Sequence, residues 1–145
     1  MAISASKQLH VLLAEDNPAD VLLMRAALSS RFEDFELRVQ QNGEQMMEWI
    51  EKMDRGEVMT KPDIILLDLN LPRISGEDIL WRLGQSPTCR RVPMVVVTSS
   101  DSPRDRQTTA RLGVSHYFKK PTDYDEFMRL GDLVIKVLKA GETAS

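Results

Sequence analysis

Residues 63–68 read Asp-Ile-Ile-Leu-Leu-Asp. Ile64–Leu67 is purely aliphatic and does not alternate, so a strand here is covered on both faces, the mark of a central strand in a parallel sheet. Lys61-Pro62 punctuates the chain just before it. Residues 92–98 (VPMVVVT) form a second run of the same kind, and Leu9–Ala14 (LHVLLA) a third. Phe35–Gln40 differs: Phe35, Leu37 and Val39 alternate with Glu36, Arg38 and Gln40, which predicts a half-buried strand at a sheet edge. Residues 114–118 make the last strand.

Between these runs the period is helical. Residues 19–30 carry Val21, Leu22, Met24 and Leu28 as an apolar stripe with polar interruptions, after the break at Asn17-Pro18. Residues 44–55 present Met46, Met47, Trp49, Ile50 and Met53 for inward packing, following the turn at Asn42-Gly43. Residues 77–84 form a short helix. Ser102-Pro103 opens a helix running to Leu112, with proline at a tolerated first-turn position. Residues 123–139 make the closing helix, capped by Thr122 or Asp123. Methionines 46, 47, 53 and 59 are read as packing residues.

Strict alternation of strands and helices predicts an α/β fold with a doubly wound, five-stranded parallel sheet and helices on both faces. Right-handed crossovers leave few topologies. At 145 residues the chain is expected to be one domain, residues 1–145. It has one cysteine, Cys89, so an intrachain disulfide framework is excluded. The start, MAISASKQ, has no basic segment leading into an apolar one. No aliphatic run approaches the roughly 20 residues that span a bilayer. Net charge is -3, against the basic faces that nucleic acid selects. These features predict a cytoplasmic protein with no nucleic-acid or membrane partner.

In such sheets ligands sit beyond the carboxyl ends of the strands. Strand one ends in Glu15-Asp16, strand three in Asp68 followed by Leu69-Asn70, strand four in Thr98-Ser99, and strand five leads into Lys119-Lys120-Pro121. Three carboxylates, a hydroxyl and a lysine are therefore expected on one rim. Packed carboxylates repel and call for a cation. Oxygen-only ligands on a shallow rim suit Mg²⁺. An aspartate beside Mg²⁺ has the character of a nucleophile toward phosphorus, and a lysine is a good point-charge ligand for phosphoryl oxygens. Taken alone, Glu15 and Asp16 would be read as acids favouring the start of a helix, and Thr98 as an ordinary β-branched strand residue.

At these residues the chain resembles the receiver domain of bacterial two-component response regulators, from about Leu9 to Ala140. The resemblance is carried by LLAEDNPAD (12–20), DIILLDLNLPRISG (63–76), VVVTSS (95–100) and YFKKP (117–121), in order and at matching spacings. It implies the flavodoxin-like strand order 2-1-3-4-5. It implies Asp68 as phosphoacceptor, Glu15, Asp16 and Asp68 as Mg²⁺ ligands together with the Asn70 backbone carbonyl, and Thr98 as the hydroxyl that follows the phosphoryl group. Lys120, directly before Pro121, matches the family lysine, with Lys119 off that position and a cis Lys120–Pro121 peptide expected by analogy. Tyr117 matches the switch aromatic. Glu15 stands where aspartate is commoner, and Ser99 where a small residue is usual.

The function implied is a response regulator that takes a phosphoryl group from a sensor histidine kinase onto Asp68 and signals through its last helix-strand-helix surface. It is expected to catalyse only its own phosphorylation and dephosphorylation, and to carry no output domain. EDNPAD and DLNLP also resemble the stand-alone receivers that partner bacterial phytochromes. The alternative is a Mg²⁺-dependent phosphohydrolase with an aspartyl nucleophile, but Asn70 stands where its proton-shuttling acid belongs. A flavin carrier of the same sheet order would place no acids in the loop after strand one. Finally, Met128 and Ile135 are seven apart on the closing helix, off the stripe of Phe127, Leu130, Val134, Val137 and Leu138. With Asp132 between them and Arg104, Arg106 and Arg111 on the preceding helix, they suggest a homodimer contact.

Overall fold

The computed structural model describes residues 7–58 and 60–144. The packing role expected for Met59, and the reading of the first six residues, lie outside that description. Five strands, β1 Leu9–Ala14, β2 Phe35–Gln40, β3 Ile64–Leu67, β4 Met94–Thr98 and β5 His116–Lys119, pair in parallel in the order β2-β1-β3-β4-β5. The helices are α1 Pro18–Ser29, α2 Gly43–Asp54, α3 Gly76–Gln85, α4 Pro103–Arg111, α5 Tyr124–Phe127 and α6 Arg129–Ala144.

Strand alternation divides the central sheet between two cores. Val11, Leu13, Ile64, Leu66, Val95 and Val97 face α1, α5 and α6, packing with Met24, Leu28, Phe127, Leu130 and Val134. Leu12, Ala14, Ile65, Leu67, Met94 and Val96 face α2 and α3, packing with Met46, Trp49, Ile50, Ile79 and Leu83. Ile64–Leu67 is buried throughout, as its lack of alternation predicts, and β2 alternates at the edge.

Differences from the sequence expectation are local. Leu22 is 67% exposed: at 100° per residue it lies opposite Met24 and Leu28, so the inward stripe of α1 excludes it. β4 begins at Met94 because Pro93 has no N–H for the ladder, although its carbonyl still accepts from Ile65 N at 3.0 Å. β5 begins at His116, with Ser115 N joined to the Met94 carbonyl at 2.8 Å. The closing helix is interrupted for one residue, Met128, and then continues past residue 139. Its cap is Asp123, whose carboxylate accepts from Glu126 N at 3.0 Å.

Candidate functional site at the carboxyl ends of the strands

Registers place the strand ends side by side. Ala14 pairs with Leu67, Leu67 with Val96, and Thr98 with Lys119, so Glu15, Asp68, Thr98 and Lys120 follow one another across the rim. Glu15 is 1% and Asp68 5% exposed. Asp16 is exposed. Oxygens of Glu15, Asp16 and Asp68 all lie within 4.8 Å of one another.

Lys120 is the centre of charge. Its backbone N–H donates to the Thr98 carbonyl at 2.8 Å, which continues the β4–β5 ladder by one residue and turns the side chain into the rim. Nζ then lies 2.8 Å from Asp68 Oδ2, 2.7 Å from Asp20 Oδ2 and 2.8 Å from Glu15 Oε1. Burial works against the ammonium, but the contacts to Asp20, Asp68 and Glu15 outweigh it and hold the lysine pKa above its ordinary range. Lys119 points elsewhere: it is exposed and 3.9 Å from Asp101. The Lys120–Pro121 peptide is trans, contrary to the cis geometry expected by analogy; the ladder bond to Thr98 aims the lysine inward in this geometry.

Burial, reinforced by the Asp68 charge, pushes Glu15 up to about 7 against the opposing pull of Lys120. Glu15 Oε1 touches Lys120 without hydrogen-bond geometry, so this fully buried oxygen has no hydrogen bond. A buried carboxylate oxygen in that condition, with two further carboxylates beside it, fits a hard divalent cation. Glu15 Oε2 accepts from Asn17 N at 3.1 Å, and Asn17 in turn caps α1, accepting from Ala19 N at 2.9 Å and Asp20 N at 3.3 Å. The loop after β1 is thereby fixed by its own polar groups.

Asn70 has two roles visible in the structure. Its backbone N–H donates to Asp68 Oδ1 at 3.0 Å, and its side-chain amide donates to Thr98 Oγ1 at 3.3 Å. Thr98 is fully buried, and its hydroxyl also accepts from Ser100 N at 3.3 Å. Tyr117 is half-buried at the far edge of this group. Its hydroxyl donates to the Ser100 carbonyl at 2.7 Å, and the Arg106 guanidinium stands 4.4 Å from its ring centroid. Burial raises the phenol pKa.

Sequence reasoning did not single out Asp20 or Ser100, and it assigned Arg106 to a homodimer contact, whereas Arg106 stacks on Tyr117 and pairs with Asp101 at 2.8 Å within the chain. Asp20 was findable in principle, being one helical turn after Asp16. The other two depend on how the β4–α4 loop folds back. At the last helix, Phe127, Leu130, Val134 and Val137 are buried, while Met128 and Ile135 are half-buried. Asp132 pairs with Arg31, just past the end of α1, at 3.0 Å, so its charge already has a partner within the chain. Cys89 is fully buried, and burial raises its thiol pKa, as befits an inert side chain. No described helix is long and apolar enough to cross a membrane.

Comparison with known proteins agrees with this geometry. A family model described as a response regulator receiver domain matches residues 11–130. Response regulator Rcp1 of Synechocystis sp. is 32% identical over 120 residues, spanning 83% of this chain and 82% of that protein. The crystal structure of the phosphorylated cyanobacterial phytochrome response regulator RcpA superposes with a TM-score of 0.81 at 28% identity, covering 90% of this chain and 93% of that one. The Mn²⁺-bound form of Rcp1 superposes with a TM-score of 0.77 at 30% identity, covering 87% and 91%. RPA3017, a response regulator in red light signalling of R. palustris, gives 0.73 at 28% identity, covering 86% and 90%.

Proposed function

The chain belongs to the response regulator receiver family, and from that premise we propose that Asp68 is its phosphoacceptor and a sensor histidine kinase its donor. The observation that carries this reading is the convergence of Glu15, Asp16 and Lys120 on the buried Asp68 carboxylate. In the transfer, an Asp68 oxygen attacks phosphorus, the N–P bond of the kinase phosphohistidine breaks, and the imidazole keeps the electron pair. Glu15, Asp16, Asp68 and the Asn70 carbonyl would hold Mg²⁺, which when bound neutralises the acids and the incoming phosphoryl charge. Lys120 and Thr98 then hold phosphoryl oxygens. Tyr117, next to Thr98 through Ser100, reads the result at the β5 edge.

The chain acts as a switch and not as a metabolic enzyme; loss of the phosphoryl group by hydrolysis resets it. The Asn70 side chain, an amide that donates to Thr98 and has no proton to shuttle, supports this over the phosphohydrolase alternative. Similarity to RcpA, a cyanobacterial phytochrome response regulator, and to RPA3017 of red light signalling supports a kinase of the bacterial phytochrome class, and the proposed site of action is the cytoplasm. Self-association at the outer edges of Met128 and Ile135 belongs to the same reading, without Asp132, and light scattering with and without phosphorylation tests it.

The deciding experiment is labelling by acetyl phosphate in Mg²⁺. Wild type should incorporate one phosphoryl group, and Asp68→Asn none while retaining its circular dichroism. Undiminished labelling of the variant would refute the assignment.

A further inference from the structure

Asp20 touches Lys120 more closely than any other carboxylate, at 2.7 Å, yet it stands outside the group of oxygens that could share a cation. Its freedom to do so follows from local geometry. Asn17 caps α1, so Asp20 is the third helical residue, the position from which an acid ordinarily reaches back to the capping residue's N–H. Here Glu15 Oε2 already accepts that N–H at 3.1 Å. The Asp20 carboxylate is left for Lys120. Asn17 Oδ1, accepting from Asp20 N at 3.3 Å, fixes the backbone from which it points.

An ammonium has three N–H donors, and three carboxylates surround this one. Two of the three are committed elsewhere once the site works. Glu15 and Asp68 belong to the oxygen group that fits a cation, and Asp68 becomes an acyl phosphate when it takes the phosphoryl group. A cation among those oxygens also repels the lysine. Only Asp20 keeps its full charge on Lys120 throughout. It is partly buried, with 21% of its side chain exposed, so the pair is less screened than a surface one.

We infer that Asp20 is the positioning residue of the phosphotransfer lysine: it keeps the Lys120 ammonium over Asp68 after a cation and the phosphoryl group have claimed Glu15 and Asp68. The inference rests on the reading of Asp68 as phosphoacceptor. Asp20 touches no reacting atom and acts through Lys120 alone.

The test compares wild type, Asp20→Asn and Asp20→Glu as full chains in saturating Mg²⁺. The first readout is the Lys120 side-chain ammonium signal in ¹⁵N–¹H spectra of unphosphorylated protein. It should be protected from exchange in wild type, lost in Asp20→Asn and restored in Asp20→Glu. The second is labelling by acetyl phosphate. Its maximal rate should fall roughly tenfold in Asp20→Asn, the loss that one charge-assisted hydrogen bond implies, with partial recovery in Asp20→Glu. The Mg²⁺ concentration for half-maximal rate should change far less. An ammonium signal as protected in Asp20→Asn as in wild type, or an unchanged maximal rate, overturns the inference while leaving Asp68 in place. A wild type that takes no label overturns the reading of Asp68, and the inference with it.

Discussion

Lys120 Nζ lies 2.8 Å from Asp68 Oδ2, joining the end of β5 to the end of β3 at the bottom of the acidic rim. Among the described residues, the lysine is the one cation paired with Glu15, Asp20 and Asp68, three closely placed carboxylates, two of them almost fully buried. Removing it leaves those charges uncompensated. Lys120→Met should therefore lower stability in metal-free buffer by about 3 kcal/mol, the low end for breaking a buried ion pair. On the proposed ligand set Mg²⁺ and Lys120 compete for the same oxygens, so the variant should bind Mg²⁺ more tightly than wild type and recover much of its stability when Mg²⁺ is added. Urea denaturation with and without Mg²⁺ measures both. A stability loss of the same size in saturating Mg²⁺ would contradict the competition.

Asp16 differs from its neighbours in being exposed. Its charge costs little to keep in water, and the role proposed for it is that of a Mg²⁺ ligand. Asp16→Asn should weaken Mg²⁺ binding clearly by calorimetry while leaving metal-free stability within about 0.5 kcal/mol of wild type, as for most exposed substitutions. Equal Mg²⁺ affinity in the two proteins would remove Asp16 from the ligand set.

Glycines offer a paired test of how α6 sits on α1. A Cβ built on Gly131 meets the Ala27 carbonyl oxygen at 2.5 Å and Arg31 Cγ at 2.8 Å, whereas one on Gly84 meets nothing within 4 Å. Backbone cannot step aside as a side-chain tip can, so Gly131→Ala must part the two helices and strain the Arg31–Asp132 pair. It should cost about 1–3 kcal/mol. Gly84→Ala, inside α3, should instead stabilise by up to about 1 kcal/mol through helix propensity. Chemical denaturation of both variants decides; a stabilised Gly131→Ala would show that the crossing is loose.

The legible and illegible parts of this structure separate by range. Ile64–Leu67 is buried on both faces, and its lack of alternation already says so. The strand ends followed from parallel pairing, which is why Glu15, Asp68, Thr98 and Lys120 could be grouped before any contact was known. Whether Lys119 or Lys120 turns inward rests on a single ladder bond to Thr98, and only the Lys-Pro resemblance favoured one of them. Asp20 went unnoticed because an acid in a first helical turn has an adequate local explanation. Leu22 was misplaced by counting apolar residues without projecting them on the helix. Asp54 could not be seen at all, since its partners lie more than 25 residues away in α3 and beyond.

Asp54, the last residue of α2, ties that helix to the end of α3. Its carboxylate accepts from the Ser86 hydroxyl at 2.6 Å, from the Arg82 guanidinium at 2.9 Å and from Thr88 N at 3.4 Å, and Ser86 Oγ accepts in turn from Cys89 N at 3.0 Å. Ser86 is fully buried, so without Asp54 its hydroxyl donor has nowhere to go. Asp54→Ala should cost about 1–3 kcal/mol at neutral pH, the usual penalty for orphaning a buried donor. The pH dependence follows in sign. Burial alone would raise the Asp54 pKa, but the hydrogen bonds from Ser86, Arg82 and Thr88 outweigh it and hold the folded value below the ordinary 3.8. A folded pKa below the unfolded one stabilises the fold fully above the unfolded value and progressively less as pH falls through the folded one. The stability gap between wild type and Asp54→Ala should thus be constant from neutral pH down to about 5 and narrow below 3.8. Denaturation midpoints of both proteins across that range measure the gap. One that widened toward acid would mean that the carboxyl is held in its protonated form, with Ser86 as acceptor.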